Sequence, residues 1–98
     1  MTLKQLYKII EDRKKKMPEG SYVASLFKKG KDKMTQKVGE EAVEVIIAVK
    51  NESKERIISE VADLIFHLLV LLSGCNITLQ DIEKEFAKRR LSLLKRKE

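Results

Sequence analysis

The chain has 98 residues, 43% hydrophobic and 37% charged, which suits one small domain with a modest core, so residues 1–98 are read as a single domain. One Pro, four Gly and many Leu, Ile, Val, Lys and Glu point to an all-α fold and away from β-rich or low-complexity classes. Cys75 is the only cysteine, which excludes an internal disulfide and a cysteine-built zinc site. The net charge of +6, with a pI near 9.5, suits a polyanionic partner: a nucleic acid, a membrane surface or a phosphorylated metabolite.

The N-terminus is charged from Lys4 onward and lacks the apolar core of a signal peptide. Thr2 and Gln5 have the spacing of a capping box, and Leu3, Leu6, Tyr7 and Ile10 form the apolar stripe of the first helix. That helix is expected to end in the basic run Arg13–Lys16, followed by a turn over Met17–Gly20. Ser21 is expected to cap a short helix through Lys28, with Val23, Leu26 and Phe27 inward and Gly30 as its stop. Asp32 is the expected cap of a long third helix running to about Lys50. Its inward positions are Met34, Val38, Ala42, Val45, Ile46 and Val49, with Val43 and Ile47 widening the stripe. Gly39 interrupts it, which suggests close approach of another backbone or a ligand.

A turn at Asn51–Ser53, with Ser53 as cap, leads into a fourth helix that is apolar nearly all round from Leu64. So apolar a helix suits contact with a second subunit, and a homodimer or higher homo-oligomer is expected. The uninterrupted part, Leu64–Leu72, contains His67 and is nine residues long. It is too short to span a bilayer, so a soluble cytoplasmic protein is expected. Gly74, Cys75 and Asn76 break the helix. Thr78 and Asp81 begin the last one, with Leu79, Ile82, Phe86 and Leu93 inward, and the tail from Lys95 is expected to fray. The architecture read from this pattern is a bundle of about five helices around a central antiparallel hairpin, completed by oligomerisation.

The acids of that hairpin carry the functional reading. Glu41 and Glu44, and Glu60 and Asp63, are pairs at a spacing of three, which places each pair on one helix face. Glu44 and Glu60 lie eight residues either side of Glu52, and Glu41 and Asp63 eleven, so a turn there brings the pairs opposite each other. Oxygen donors without accompanying His or Cys suit Mg²⁺ or Mn²⁺. Glu40 is open between ligand, general base and surface residue. Lys33, Lys37 and Arg56 sit near the same faces, either to bind phosphate or to form ordinary ion pairs. His67 reads as a hydrogen-bonded core group rather than a ligand.

The run Glu40-Glu41-x-x-Glu44, then fifteen residues, then Glu60-x-x-Asp63, resembles the acidic signature of the all-α, MazG-like nucleoside-triphosphate pyrophosphatases. The flanking segments, SYVASLFKKGKDKMTQKVGEEAVEVIIA and EVADLIFHLLVLL, are similar to the phosphoribosyl-ATP pyrophosphohydrolase family of histidine biosynthesis, over about Leu3 to Arg90. That resemblance implies an all-α, usually dimeric enzyme. Its reaction is Mg²⁺-dependent hydrolysis of the α–β phosphoanhydride of 1-(5-phosphoribosyl)-ATP, giving phosphoribosyl-AMP and pyrophosphate. Carried over by position, Glu41, Glu44, Glu60 and Asp63 are the metal ligands, and Lys37 faces phosphate. Glu40 or Glu44 then orients or deprotonates the attacking water.

Two other functions compete. A house-cleaning pyrophosphatase for (d)NTPs would share the fold and site. A basic helical nucleic-acid-binding protein fits the charge, but there is no aromatic platform or recognition motif, and the inward acids would repel a phosphate backbone. A di-iron carboxylate bundle is disfavoured because its Glu-x-x-His pairs are missing.

Overall fold

The computed structural model describes residues 1–51 and 53–95, with the backbone alone for Leu93. Among these residues the chain is all helical: α1 (Leu3–Lys16), α2 (Tyr22–Lys29), α3 (Lys31–Lys50), α4 (Lys54–Gly74), α5 (Leu79–Lys88) and α6 (Arg90–Lys95). The short α6 was not separated from α5 in the sequence. The expected place of Glu52 in the turn, the inward Leu93 and the fraying of residues 96–98 lie outside the described residues.

Helix starts follow local chemistry. Thr2 accepts from the Gln5 amide while the Gln5 side chain accepts from the Thr2 amide, and Thr78 and Asp81 repeat the arrangement on α5. Ser21 and Ser53 cap α2 and α4 through the amides of Ala24 and Arg56. The expected cap at Asp32 is corrected. Gly30, at φ 96°, holds the N-cap position of α3 without a side-chain bond, and Asp32 falls in the first turn. A residue at that φ avoids the Cβ clash only as glycine, so the same Gly30 stops α2 and starts α3. Asp32 still favours the positive end of the helix dipole.

The longest packing surface joins α3 and α4 as an antiparallel pair, with α1 and α2 against one end of it. The core lies at that end. Tyr7, Ile10, Leu26, Met34, Leu69 and Val70 are buried together, and Val23, Phe27, Ile65 and Phe66 pack around them. Gly74 is where backbone approaches most closely: an added Cβ would meet the Met34 Cε at 2.8 Å. Around Gly39, by contrast, a Cβ would meet nothing within 4 Å of this chain.

Three polar side chains of α1 tie it to the end of α4. Tyr7 donates its hydroxyl hydrogen to the Ile77 carbonyl at 2.6 Å. Lys14 donates to the Ser73 carbonyl at 2.6 Å and to Asn76 Oδ1 at 2.9 Å, so an α1 cation satisfies the carbonyl end of α4. The fully buried Ser73 hydroxyl donates to Glu11.

Several apolar positions expected inside are outside. Ile46 is 58% exposed and Phe86 60%, and Val49, Val43, Ile47 and Leu3 also face solvent. For Ile46, Val49, Val43 and Ile47 the physical reason is the shape: the far half of the α3–α4 hairpin projects beyond α1 and α2, and the radius of gyration of 15.3 Å exceeds the roughly 13 Å of a compact 100-residue domain. Leu3 and Phe86 lie outside that hairpin, on α1 and α5.

The length of the apolar element also needs correcting. α4 is long and apolar enough, by length and composition, to cross a membrane, with a mean hydropathy of 1.8. Of that apolar window 22% is buried, at His67, Leu69, Val70 and Ser73, where α4 packs against α1, α2 and α3.

Candidate metal centre

Helix periodicity brings Glu41 from α3 together with Glu60 and Asp63 from α4 in the hairpin. One carboxylate oxygen from each of these three lies within 4.8 Å of the others. Glu41 and Glu60 are half-buried and Asp63 is exposed. Three carboxylates gathered this closely from two helices form a hard, oxygen-only donor set, which fits a divalent cation of the Mg²⁺ or Mn²⁺ type. The soft or borderline donors are not part of it, since His67 uses both ring nitrogens elsewhere and Cys75 sits at the far end of α4.

Glu44 lies outside this trio, its carboxylate 3.6 Å from the Arg56 guanidinium of α4. Arg56 thus bridges the two helices rather than pairing with Glu60 on its own helix. Glu40 is exposed, accepts a hydrogen bond from Gln36 at 2.7 Å, and lies 3.3 Å from the Lys37 ammonium. The Gln36 bond first, then Lys37 and the charge of Lys33, hold its carboxyl below the usual range. Lys37 is half-buried and also lies 3.5 Å from Glu41. Burial works against its charge, but the Glu40 hydrogen bond and the charges of Glu40 and Glu41 outweigh it, so its pKa rises. Lys37 therefore remains a cation at the edge of the cluster. Lys33 lies half-buried one turn earlier.

His67 is buried, as its place among leucines suggested. Its Nδ1 lies 2.8 Å from the main-chain oxygen of Asp63, and a carbonyl only accepts, so Nδ1 carries the hydrogen. In the neutral ring Nε2 is then the acceptor for the Tyr22 hydroxyl, at 3.0 Å. Tyr22 also stacks on Phe66. Sequence reasoning missed Tyr22. Its bond to His67 spans 45 residues, and no local spacing announces such a contact.

An all-α bundle with an oxygen-only carboxylate cluster in its central hairpin defines a helical protein with a candidate divalent-cation centre. The chain belongs to the phosphoribosyl-ATP pyrophosphohydrolase family, whose model matches residues 3–90. It is similar to the phosphoribosyl-ATP pyrophosphatase of Clostridium acetobutylicum, at 54% identity over 96 residues, covering 98% of this chain and 87% of the relative. The phosphoribosyl-ATP pyrophosphatase of Saccharolobus solfataricus is 56% identical over 86 residues, 88% of this chain and 92% of that one. A histidine biosynthesis bifunctional protein HisIE, from Caldanaerobacter subterraneus subsp. tengcongensis, is 56% identical over 87 residues, covering 89% of this chain and 42% of the relative.

Proposed function

We propose that this chain hydrolyses the α–β phosphoanhydride of 1-(5-phosphoribosyl)-ATP, releasing phosphoribosyl-AMP and pyrophosphate, in the second step of histidine biosynthesis. The observation that carries the reading is the Glu41–Glu60–Asp63 cluster in a chain of this family. The relatives are named phosphoribosyl-ATP pyrophosphatase, in keeping with this reading.

Glu41, Glu60 and Asp63, joined by Glu44 one helical turn from Glu41, would hold Mg²⁺, with Mn²⁺ as the alternative ion. When bound, such an ion neutralises phosphate charge and makes water a stronger acid. The remaining work falls to this chain's side chains. Lys37, Lys33 and Arg56 neutralise the phosphates and the departing pyrophosphate, because phosphoryl chemistry depends mainly on positioning and electrostatics. Glu40 and Glu44 are the carboxylates at hand to orient the attacking water and accept its proton. Glu40 is already oriented by Gln36 and Lys37.

The active form proposed is a cytoplasmic homodimer or higher homo-oligomer, which would cover the exposed Ile46, Val49 and Ile58 of the projecting hairpin. Pyrophosphate release from phosphoribosyl-ATP with Mg²⁺ tests the reaction. Strong preference for this substrate over dNTPs, and loss of turnover with EDTA or in Glu44→Ala, are expected. Equal activity on dNTPs would favour the house-cleaning reading, and full activity without a divalent metal would rule out the proposed site chemistry.

A further inference from the structure

We propose that Tyr22 is the platform on which the purine ring of the nucleotide rests, held in position by His67; this deepens the function proposed above and rests on it. The side chain is 51% exposed, yet it is fixed by two neighbours, His67 and Phe66. Its hydroxyl bonds His67 Nε2 at 3.0 Å. One face stacks on Phe66, with centroids 6.1 Å apart and planes inclined by 24°. Its ring meets that of His67 edge-on, at 5.9 Å and 83°. His67 in turn is buried, bonded to the Asp63 carbonyl, and edge-on to Phe66 at 4.9 Å. An exposed tyrosine on a two-turn helix would ordinarily sample several rotamers. Here its ordering is completed by folding, which lowers the entropic cost of any ligand that uses it.

Its position relative to the cluster follows from one chain of contact: Tyr22 bonds His67, which bonds the main-chain carbonyl of Asp63, a residue of the carboxylate cluster. Lys37 in turn lies 3.5 Å from Glu41 of the same cluster. A nucleotide whose phosphates lie at the cluster and against Lys37 therefore has its nucleoside end beside an exposed aromatic face. Such a face suits a base, because base–aromatic stacking needs no particular hydrogen-bond pattern. The other aromatic residues are less suited. Tyr7 is buried at α1, Phe27 and Phe66 pack on the core, and Phe86 lies on α5, beyond the far end of α4.

Calorimetric titration of ATP and of inorganic tripolyphosphate, each with Mg²⁺, tests this on the full chain. Tyr22→Leu is expected to weaken ATP binding about tenfold and to leave tripolyphosphate within about twofold of wild type. Tyr22→Phe, which keeps the ring, is expected to hold ATP within about threefold of wild type. Unchanged ATP affinity in Tyr22→Leu, equal weakening of both probes, or wild-type ATP binding no tighter than tripolyphosphate overturns the proposal. The chain has two tyrosines and no tryptophan, so in a Tyr7→Phe background the tyrosine emission comes from Tyr22 alone. Saturating ATP is expected to quench it, and unchanged emission counts against stacking. Turnover of phosphoribosyl-ATP is measured separately. A wild type that binds ATP through Tyr22 but releases no pyrophosphate overturns the proposed reaction and leaves the platform standing.

Discussion

Arg56 on the first turn of α4 lies 3.6 Å from the carboxylate of Glu44 in the middle of α3, tying the two arms of the acidic hairpin on the side towards the turn. Both side chains are about half exposed, so the pair contributes at most about 1 kcal/mol to stability. Its larger value is placement, since it holds the guanidinium at Glu44, one helical turn from Glu41 of the cluster. Arg56→Ala is expected to shift a urea unfolding curve by less than about 1 kcal/mol while raising KM for phosphoribosyl-ATP. A loss of several kcal/mol with KM unchanged would make Arg56 a structural residue only.

Asp63 contributes a carboxylate to the cluster and a main-chain carbonyl to His67. Asp63→Asn changes the first and leaves the second in place, so the fold is expected to survive. Mg²⁺ should raise the melting temperature of the wild type, because an ion bound only by the folded state stabilises it by mass action. In Asp63→Asn that increment is expected to vanish. An equal Mg²⁺ shift in the two proteins would remove Asp63 from the ligand set.

Gly39 occupies the interior of α3 with open space where a Cβ would stand. Gly39→Ala is therefore expected to stabilise the chain by about 1 kcal/mol, from helix propensity alone. The midpoint of chemical unfolding reads this directly. A lower midpoint would mean that a neighbour, a second copy of the chain, packs against this position after all.

Asp81 accepts a hydrogen bond from the Thr78 amide, and this backbone bond chiefly holds its carboxyl below the ordinary value of 3.8. A carboxyl lowered by folding contributes stability that is present above its unfolded pKa and is lost as pH falls through its folded one. The wild type is thus expected to lose stability more steeply than Asp81→Asn on acidification below about pH 4. Identical acid limbs in the two unfolding profiles would show that the α5 cap does not couple to pH.

The features that could be read from the sequence are those formed within one helical turn. The caps at Thr2, Ser21, Ser53 and Thr78 each depend on a bond to a residue three positions away, and all four form. Asp32 escaped that reasoning because the φ of Gly30 decides where α3 begins, and no side-chain spacing encodes it. The hairpin brings Glu41 of α3 together with Glu60 and Asp63 of α4, whereas Glu44, which the symmetry about the turn set opposite Glu60, is outside that group. Which acids meet depends on side-chain direction and on the competing cation Arg56, neither of which a count of residues contains. Ile46 and Val49 showed the same limit. Periodicity identified an apolar face, but burial depends on whether another element reaches it, and α1 and α2 end short of it. The His67 bond to Asp63 spans a single turn, whereas its bond to Tyr22 requires knowing that α2 folds across α4.

The ties from α1 to the end of α4 also bear on the order of events during synthesis. Glu41 and Asp63 belong to neighbouring helices, so their pairing closes a short loop and is fast once α4 exists. Tyr7 and Lys14 must instead wait for Ile77, Asn76 and Ser73. On the ribosome α1 therefore gains these polar anchors later than α3 and α4 can gain each other. The acidic hairpin can take shape before Tyr7 and Lys14 are tied down, which happens only after residue 77 has left the exit tunnel.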